Sequence, residues 1–205
     1  MIYAVFDFET NGLTRHPDAP LERQPKAIEF GGALVDEEGE ILDTLEVLID
    51  PGVPLEPIIT KITGLTDEDL KGQKTFPEVA PLLRAFFERA DVMVAHNLPF
   101  DKSVLTYELR RHGLEQGWPW PAGQMCTVEE HVAEWGRRPK LLELFEHYVG
   151  APLAQTHRAL DDVRALVTVC VEAGLFDEED EGVVADVRED AEDFGDSYHG
   201  LEGES

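Results

Sequence analysis

The hydrophobic pattern opens almost at the first residue. Residues 2 to 6, Ile-Tyr-Ala-Val-Phe, form an unbroken apolar run that closes on Asp7 and Glu9. A run of that length and β-rich composition predicts a buried central strand. Alternation along the strand then turns Asp7 and Glu9 to the same face, with a single residue between them. Residues 27–36 and 40–50 read as two further strands, joined by the tight turn Glu37-Glu38-Gly39 into a hairpin. Residues 58–70 read as a short irregular segment, within which Thr66 and the acids Asp67, Glu68 and Asp69 fit an N-cap and an acidic first turn.

Helical spacing returns over residues 76–89, where Val79, Leu82, Leu83, Phe86 and Phe87 share a face. Residues 91–96 predict a short buried strand. Asn97-Leu98-Pro99 then opens a helix running to about His112, with Pro99 placed for the first turn. Trp118-Pro-Trp-Pro is a rigid aromatic loop. A strand near Met125 follows, then two short helices, the second ending at Gly150, and a last helix from about 158 to 173 that stops at Gly174. A hairpin followed by alternating helix and strand predicts an α/β fold: a mixed sheet flanked by helices.

Composition narrows the class. At 205 residues and 42% hydrophobic, the chain suits one compact domain. Its net charge is −26, unevenly spread: residues 176–205 hold 13 acids and one base and lose apolar periodicity. The expected division is a folded domain over 1–175 and an acidic, disordered tail over 176–205. Such a charge opposes non-specific binding to phosphate, unless bound cations and a local basic rim reverse the field. Cys126 and Cys170 match no zinc or redox spacing, which fits a reducing cytoplasm. No signal peptide is expected, because the N-terminus lacks a basic flank and meets an acid by residue 7. No apolar run approaches the ~20 residues that span a bilayer, so no membrane partner is expected.

Candidate chemistry gathers at the ends of elements. Asp7 and Glu9 side by side repel each other unless something positive sits between them. Asp101 falls in the first turn of the helix opened by Asn97, where the macrodipole favours an acid in any case. In the last helix, Asp162 shares a face with Ala159, Leu166 and Val169, while Asp161 shares one with Arg164, Ala165 and Thr168. Asp162 therefore points toward the core and needs a partner or a metal, whereas Asp161 is surface charge. His157, just ahead of this helix, gains interest only from the set it joins. Four carboxylates without cysteine suit hard cations, Mg²⁺ or Mn²⁺. Two such ions could clamp the attacking and leaving oxygens of a phosphodiester, with a histidine taking the proton from the attacking water.

Phe6-Asp-Phe-Glu-Thr-Asn-Gly-Leu13, His96-Asn-Leu-Pro-Phe-Asp101 and His157-Arg-Ala-Leu-Asp-Asp162, in that order, resemble the three motifs of the DnaQ-like DEDDh 3′–5′ exonucleases. The resemblance covers residues 1 to about 175, and Ile62-Thr-Gly-Leu-Thr66 is similar to the family's segment between the first two motifs. It implies an RNase H-like fold with a mixed five-stranded sheet. It also implies that Asp7, Glu9, Asp101 and Asp162 hold two metal ions and that His157 activates the water. Thr10, Leu13, Ile62, Thr63, Gly64, Leu65, His96 and Phe100 would border the terminal nucleotide. The implied product is a nucleoside 5′-monophosphate.

The implied partners are 3′ ends of single-stranded nucleic acid, DNA ahead of RNA, and a DNA polymerase alongside. RNA trimming by the same mechanism, and a catalytically weak polymerase-associated scaffold, are the other readings. Two departures touch the nucleotide rim: Asn11 stands where the family usually has Thr, and the Pro-rich loop after Leu13 is long. The basic groups Arg137, Arg138 and Lys140, and Arg110 with Arg111, could track a strand's backbone or be solvated surface. Trp118 and Trp120 could stack on bases or pack on the sheet.

Overall fold

The computed structural model describes residues 1–153 and 157–176. A five-stranded sheet runs in the order β3-β2-β1-β4-β5. The hairpin strands β2 (Ala27–Val35) and β3 (Ile41–Leu48) pair antiparallel, and β2 pairs antiparallel with β1 (Tyr3–Thr10). On its other side β1 meets β4 (Val92–Ala95) in parallel, and β4 meets β5 (Gly123–Cys126) in parallel. The chain thus reverses its sense of progress beside β1, and in open α/β sheets a ligand crevice forms at such a point.

Among the described residues seven α-helices follow the hairpin: α1 (Pro57–Thr63), α2 (Asp67–Leu70), α3 (Phe76–Phe87), α4 (Leu98–Arg111), α5 (Thr127–Trp135), α6 (Leu141–Val149) and α7 (Ala159–Glu172). Residues 58–70, expected to be irregular, are instead two short helices. Pro57 starts the first at a position where a missing N–H costs nothing, and Gly64 ends it in the left-handed conformation. Thr66 caps the second in a reciprocal box with Asp69, as its sequence suggests.

Alternation along β1 divides the core in two. Ala4, Phe6 and Phe8 pack with Phe30, Leu83, Phe87, Leu105 and Leu109 on one face of the sheet. Tyr3 and Val5 pack with Ala33, Val94, Leu144, Val163 and Leu166 on the other. Asp7 and Glu9 continue this second row, so they emerge on the side where α7 lies. Trp118 joins the first core, its ring 6.4 Å from Phe87, and Trp120 packs beside it. The tryptophan loop is therefore a packing element.

The folded unit reaches one residue further than expected. Phe176 is buried, its ring centroid 4.5 Å from that of Tyr3, and its carbonyl accepts the Tyr3 hydroxyl at 3.3 Å. The remainder of the acidic tail, residues 177–205, lies outside the described residues.

Candidate active site

Three of the expected carboxylates meet where β1 ends. One oxygen each of Asp7, Glu9 and Asp162 lies within 4.8 Å of the other two. Two features of β2 bring α7 close enough for this. Gly31 stands opposite Asp7, and a Cβ there would lie 2.3 Å from the Leu160 nitrogen and 2.4 Å from the Ala159 carbonyl carbon. Only a bare backbone lets the first turn of α7 rest on the strand pair. Two residues along, the fully buried Glu29 stands opposite Glu9 and accepts the Arg158 guanidinium at 2.6 to 3.1 Å and the Ala159 N–H at 3.2 Å.

Like charges at this spacing repel by about 3 kcal/mol per pair at an effective dielectric of ~20. Without a cation the site holds protons instead. Burial, then Asp162 and Glu29, pushes Asp7 up to about 7. Burial, then Asp7, Asp162, Glu29 and Asp101, pushes Glu9 up to about 9.

Asp101 approaches from α4 on the opposite side. It is buried, and its Oδ1 accepts the backbone N–H of Phe8, the residue between the two β1 acids, at 3.0 Å. Phe8 lies beyond the last β1 residue paired with β4, so a side chain occupies a place where strand pairing has ended. Burial and the Asp7 charge hold Asp101 well above the ordinary carboxylate range. Four carboxylates from three elements thus surround the end of one strand, offering oxygen ligands and no thiolate, which is the donor set of a hard divalent cation.

His157 precedes α7 in the left-handed conformation, φ 51°, and is half-buried. It carries one of two positive-φ side chains among the described residues; the other is Asn97, at the entry to α4. Asp161 is exposed beside Arg164, so the division of labour between the paired aspartates follows the helix face.

The residues expected at the nucleotide rim divide. Leu13 is 47% exposed, Ile62 and Phe100 are half-buried, and Gly64 is exposed. Thr10 is buried and donates to the Gly12 carbonyl at 2.6 Å. Leu65 is buried with Ile28 and Leu70, and the Thr63 hydroxyl donates to Ile59 while accepting from the Leu65 N–H. Those two side chains anchor their turn from inside. His96 is committed internally as well: Nε2 donates to the Pro139 carbonyl at 3.2 Å, which leaves Nδ1 to accept the Thr127 hydroxyl at 3.0 Å. Burial lowers its pKa to about 4, so it stays neutral.

The four arginines of the basic groups are tied down. Arg137 forks onto Glu143 at 2.8 and 2.7 Å, and Arg138 reaches Glu129 and Asn97. Arg110 pairs with Glu115, and Arg111 turns inward to Glu108 and to the carbonyls of Leu21, Gln24 and Pro25. The same contacts pin the long loop after Leu13. Asn11 closes its neck by exchanging two hydrogen bonds with Lys26, at 3.0 and 2.7 Å, the second accepted by the Asn11 side chain. The unusual asparagine and the long loop are one feature.

Glu29, Gly31 and Arg158 were not among the residues read from sequence. A glutamate inside the apolar strand Ala-Ile-Glu-Phe-Gly-Gly was a usable signal, since a charge there must find a partner.

A mixed sheet edged by a hairpin, with helices on its faces and acids clustered at the end of its central strand, defines the RNase H-like class of fold. A family model described as an exonuclease (RNase T type) matches residues 4–170, and the chain belongs to that family of DnaQ-like 3′–5′ exonucleases. It is 37% identical over 168 residues to a DNA polymerase III of PolC type from Pediococcus pentosaceus, an alignment covering 82% of this chain and 11% of that protein. The chain thus spans about a tenth of the curated relatives it matches. Among solved structures, the nuclease domain of 3′hExo, a DEDDh family member bound to rAMP, superposes with a TM-score of 0.66 at 20% identity, over 83% of this chain and 90% of that one. Exonuclease X in complex with 5′ overhanging duplex DNA superposes with a TM-score of 0.61 at 20% identity, over 83% and 89%. No helix among the described residues is long and apolar enough to cross a membrane.

Proposed function

We propose that the chain removes nucleotides one at a time from 3′ ends of single-stranded DNA, releasing nucleoside 5′-monophosphates in proofreading or repair. The observation that carries this reading is the convergence of Asp7, Glu9 and Asp162 on one point, with Asp101 against the backbone between the first two. These four carboxylates would hold two divalent cations, Mg²⁺ or Mn²⁺. Such ions, when bound, stabilise charge on the attacking and leaving oxygens of a phosphodiester.

The chain's own residues would do the rest. The carboxylates, kept acceptor-only once cations displace their protons, fix where the scissile phosphate sits. His157, half-buried just ahead of the helix that carries Asp162, accepts the proton of the attacking water. Leu13 and Ile62 offer apolar surface to the terminal nucleotide, and the rim of Phe100 lines the approach. The similarity to a DNA polymerase III of PolC type supports DNA as substrate and a polymerase as working partner.

The test is degradation of matched DNA and RNA oligonucleotides, labelled at the 5′ end, with Mg²⁺ and with EDTA. The reading expects a ladder that shortens from the 3′ end of DNA and vanishes in EDTA. Preferential loss of the RNA would move the substrate to RNA ends, and an inert wild type would favour a scaffold.

A further inference from the structure

We propose that Glu29 and Arg158 form a positioning pair that fixes the backbone of His157, and with it the imidazole, at the start of α7; this rests on the reading of His157 as proton acceptor. Glu29 is fully buried and is the cross-strand neighbour of Glu9, yet it stands outside the group of three acids. Its charge is already met. Arg158 Nε lies 3.0 and 3.1 Å from its two oxygens, Nη2 lies 2.6 Å from Oε1, and the Ala159 N–H donates to Oε2 at 3.2 Å. The same guanidinium reaches Glu46 on β3 at 3.4 Å.

Consecutive residues immediately after His157 are therefore fastened to the strand beside β1. That matters because His157 holds a left-handed backbone that a residue with a Cβ adopts at a cost, and such a conformation persists only where its surroundings over-determine it. The fastening is also specific in shape. A guanidinium fork fits a carboxylate in two places at once, whereas an ammonium offers one point. Glu29 and Arg158 touch no reacting atom in this scheme. They decide where the imidazole stands.

The test compares Glu29→Gln, Arg158→Ala and Arg158→Lys, each alone and combined with His157→Ala, on a 5′-labelled DNA strand with Mg²⁺. Thermal unfolding confirms that each variant is folded at assay temperature; Glu29→Gln, nearly isosteric, serves if Arg158→Ala does not fold. Misplacing a catalytic group by about 1 Å costs on the order of 100-fold, so kcat should fall by about 10- to 100-fold while KM moves less than about threefold. Arg158→Lys should lose nearly as much as Arg158→Ala. On the His157→Ala background the same changes should cost under about threefold more, because residues acting as a unit are not additive. Calorimetric affinity for Mn²⁺ alone should stay within about threefold of wild type.

Wild-type kcat in both Glu29→Gln and Arg158→Ala would overturn the proposal. So would a full multiplicative loss on top of His157→Ala, or a collapse of Mn²⁺ affinity, which would place the effect on the metal-binding acids. If His157→Ala itself kept wild-type kcat, the role given to His157 would fall first, and the pair's role with it.

Discussion

At Asp7, burial and two neighbouring carboxylates all act in one direction, lifting it from an ordinary 3.8 to about 7. The folded metal-free protein therefore binds a proton that the unfolded chain has released between those values. By linkage, stability falls as pH rises through that window, and Glu9 extends the fall toward 9. Thermal midpoints measured in EDTA from pH 4 to 9 should decline, and Asp7→Asn should decline less steeply. Mn²⁺ should raise the midpoint most at the upper end, where the acids are ready to bind it. A single variant separates binding from proton transfer: His157→Ala should lower kcat by about 10²- to 10⁴-fold and keep its affinity for Mn²⁺. The meeting of Asp7, Glu9 and Asp162 was legible in the sequence because strand alternation and helix face dictate where an acid points, whereas Asp101 and His157 entered only through the set and the motifs they complete. The inward turns of Leu65, Thr63 and His96 were not, since their partners Ile28, Ile59, Thr127 and Pro139 come from other segments or from a helix the pattern did not reveal.

Among the elements, α7 depends most on its seat. Gly31→Ala drives a methyl into the Ala159–Leu160 backbone, where nothing flexible can give way. It should cost about 1–3 kcal/mol or more by overpacking, seen as a lower urea midpoint, and should lower kcat because Asp162 moves with its helix. The pinned loop offers a contrasting case. Arg111→Ala leaves the buried Glu108 without its main cation and should cost about 3 kcal/mol, softened where His112 lies 3.6 Å away. The long helices α3, α4 and α7 matched the sequence reading to within a few residues, α4 through its opening Asn97-Leu98-Pro99 rather than through periodicity. The stretch before α3 misled because Pro57 and Gly64, which look like loop residues, are a helix's first residue and its stop.

For the whole molecule, charge is the governing quantity. A net −26, with Arg137, Arg138, Arg110 and Arg111 already paired, leaves few cations to neutralise phosphates. The salt dependence of single-strand binding should therefore be shallow, with a log–log slope smaller in magnitude than about 3. Deleting residues 177–205, and sparing the buried Phe176, should tighten binding at low salt and change little at high salt, because the repulsion removed is long-ranged. Equal affinity of the truncated and full chains at low salt would exclude a repulsive tail. Composition showed the charge imbalance directly, but only Tyr3, far off in sequence, shows that Phe176 belongs to the fold.

The most direct test of the account is a crystal soaked in Mn²⁺ and examined by anomalous scattering. The account predicts manganese density bounded by Asp7, Glu9 and Asp162, lost in Asp7→Asn. Density elsewhere, or none beside these carboxylates, would contradict it.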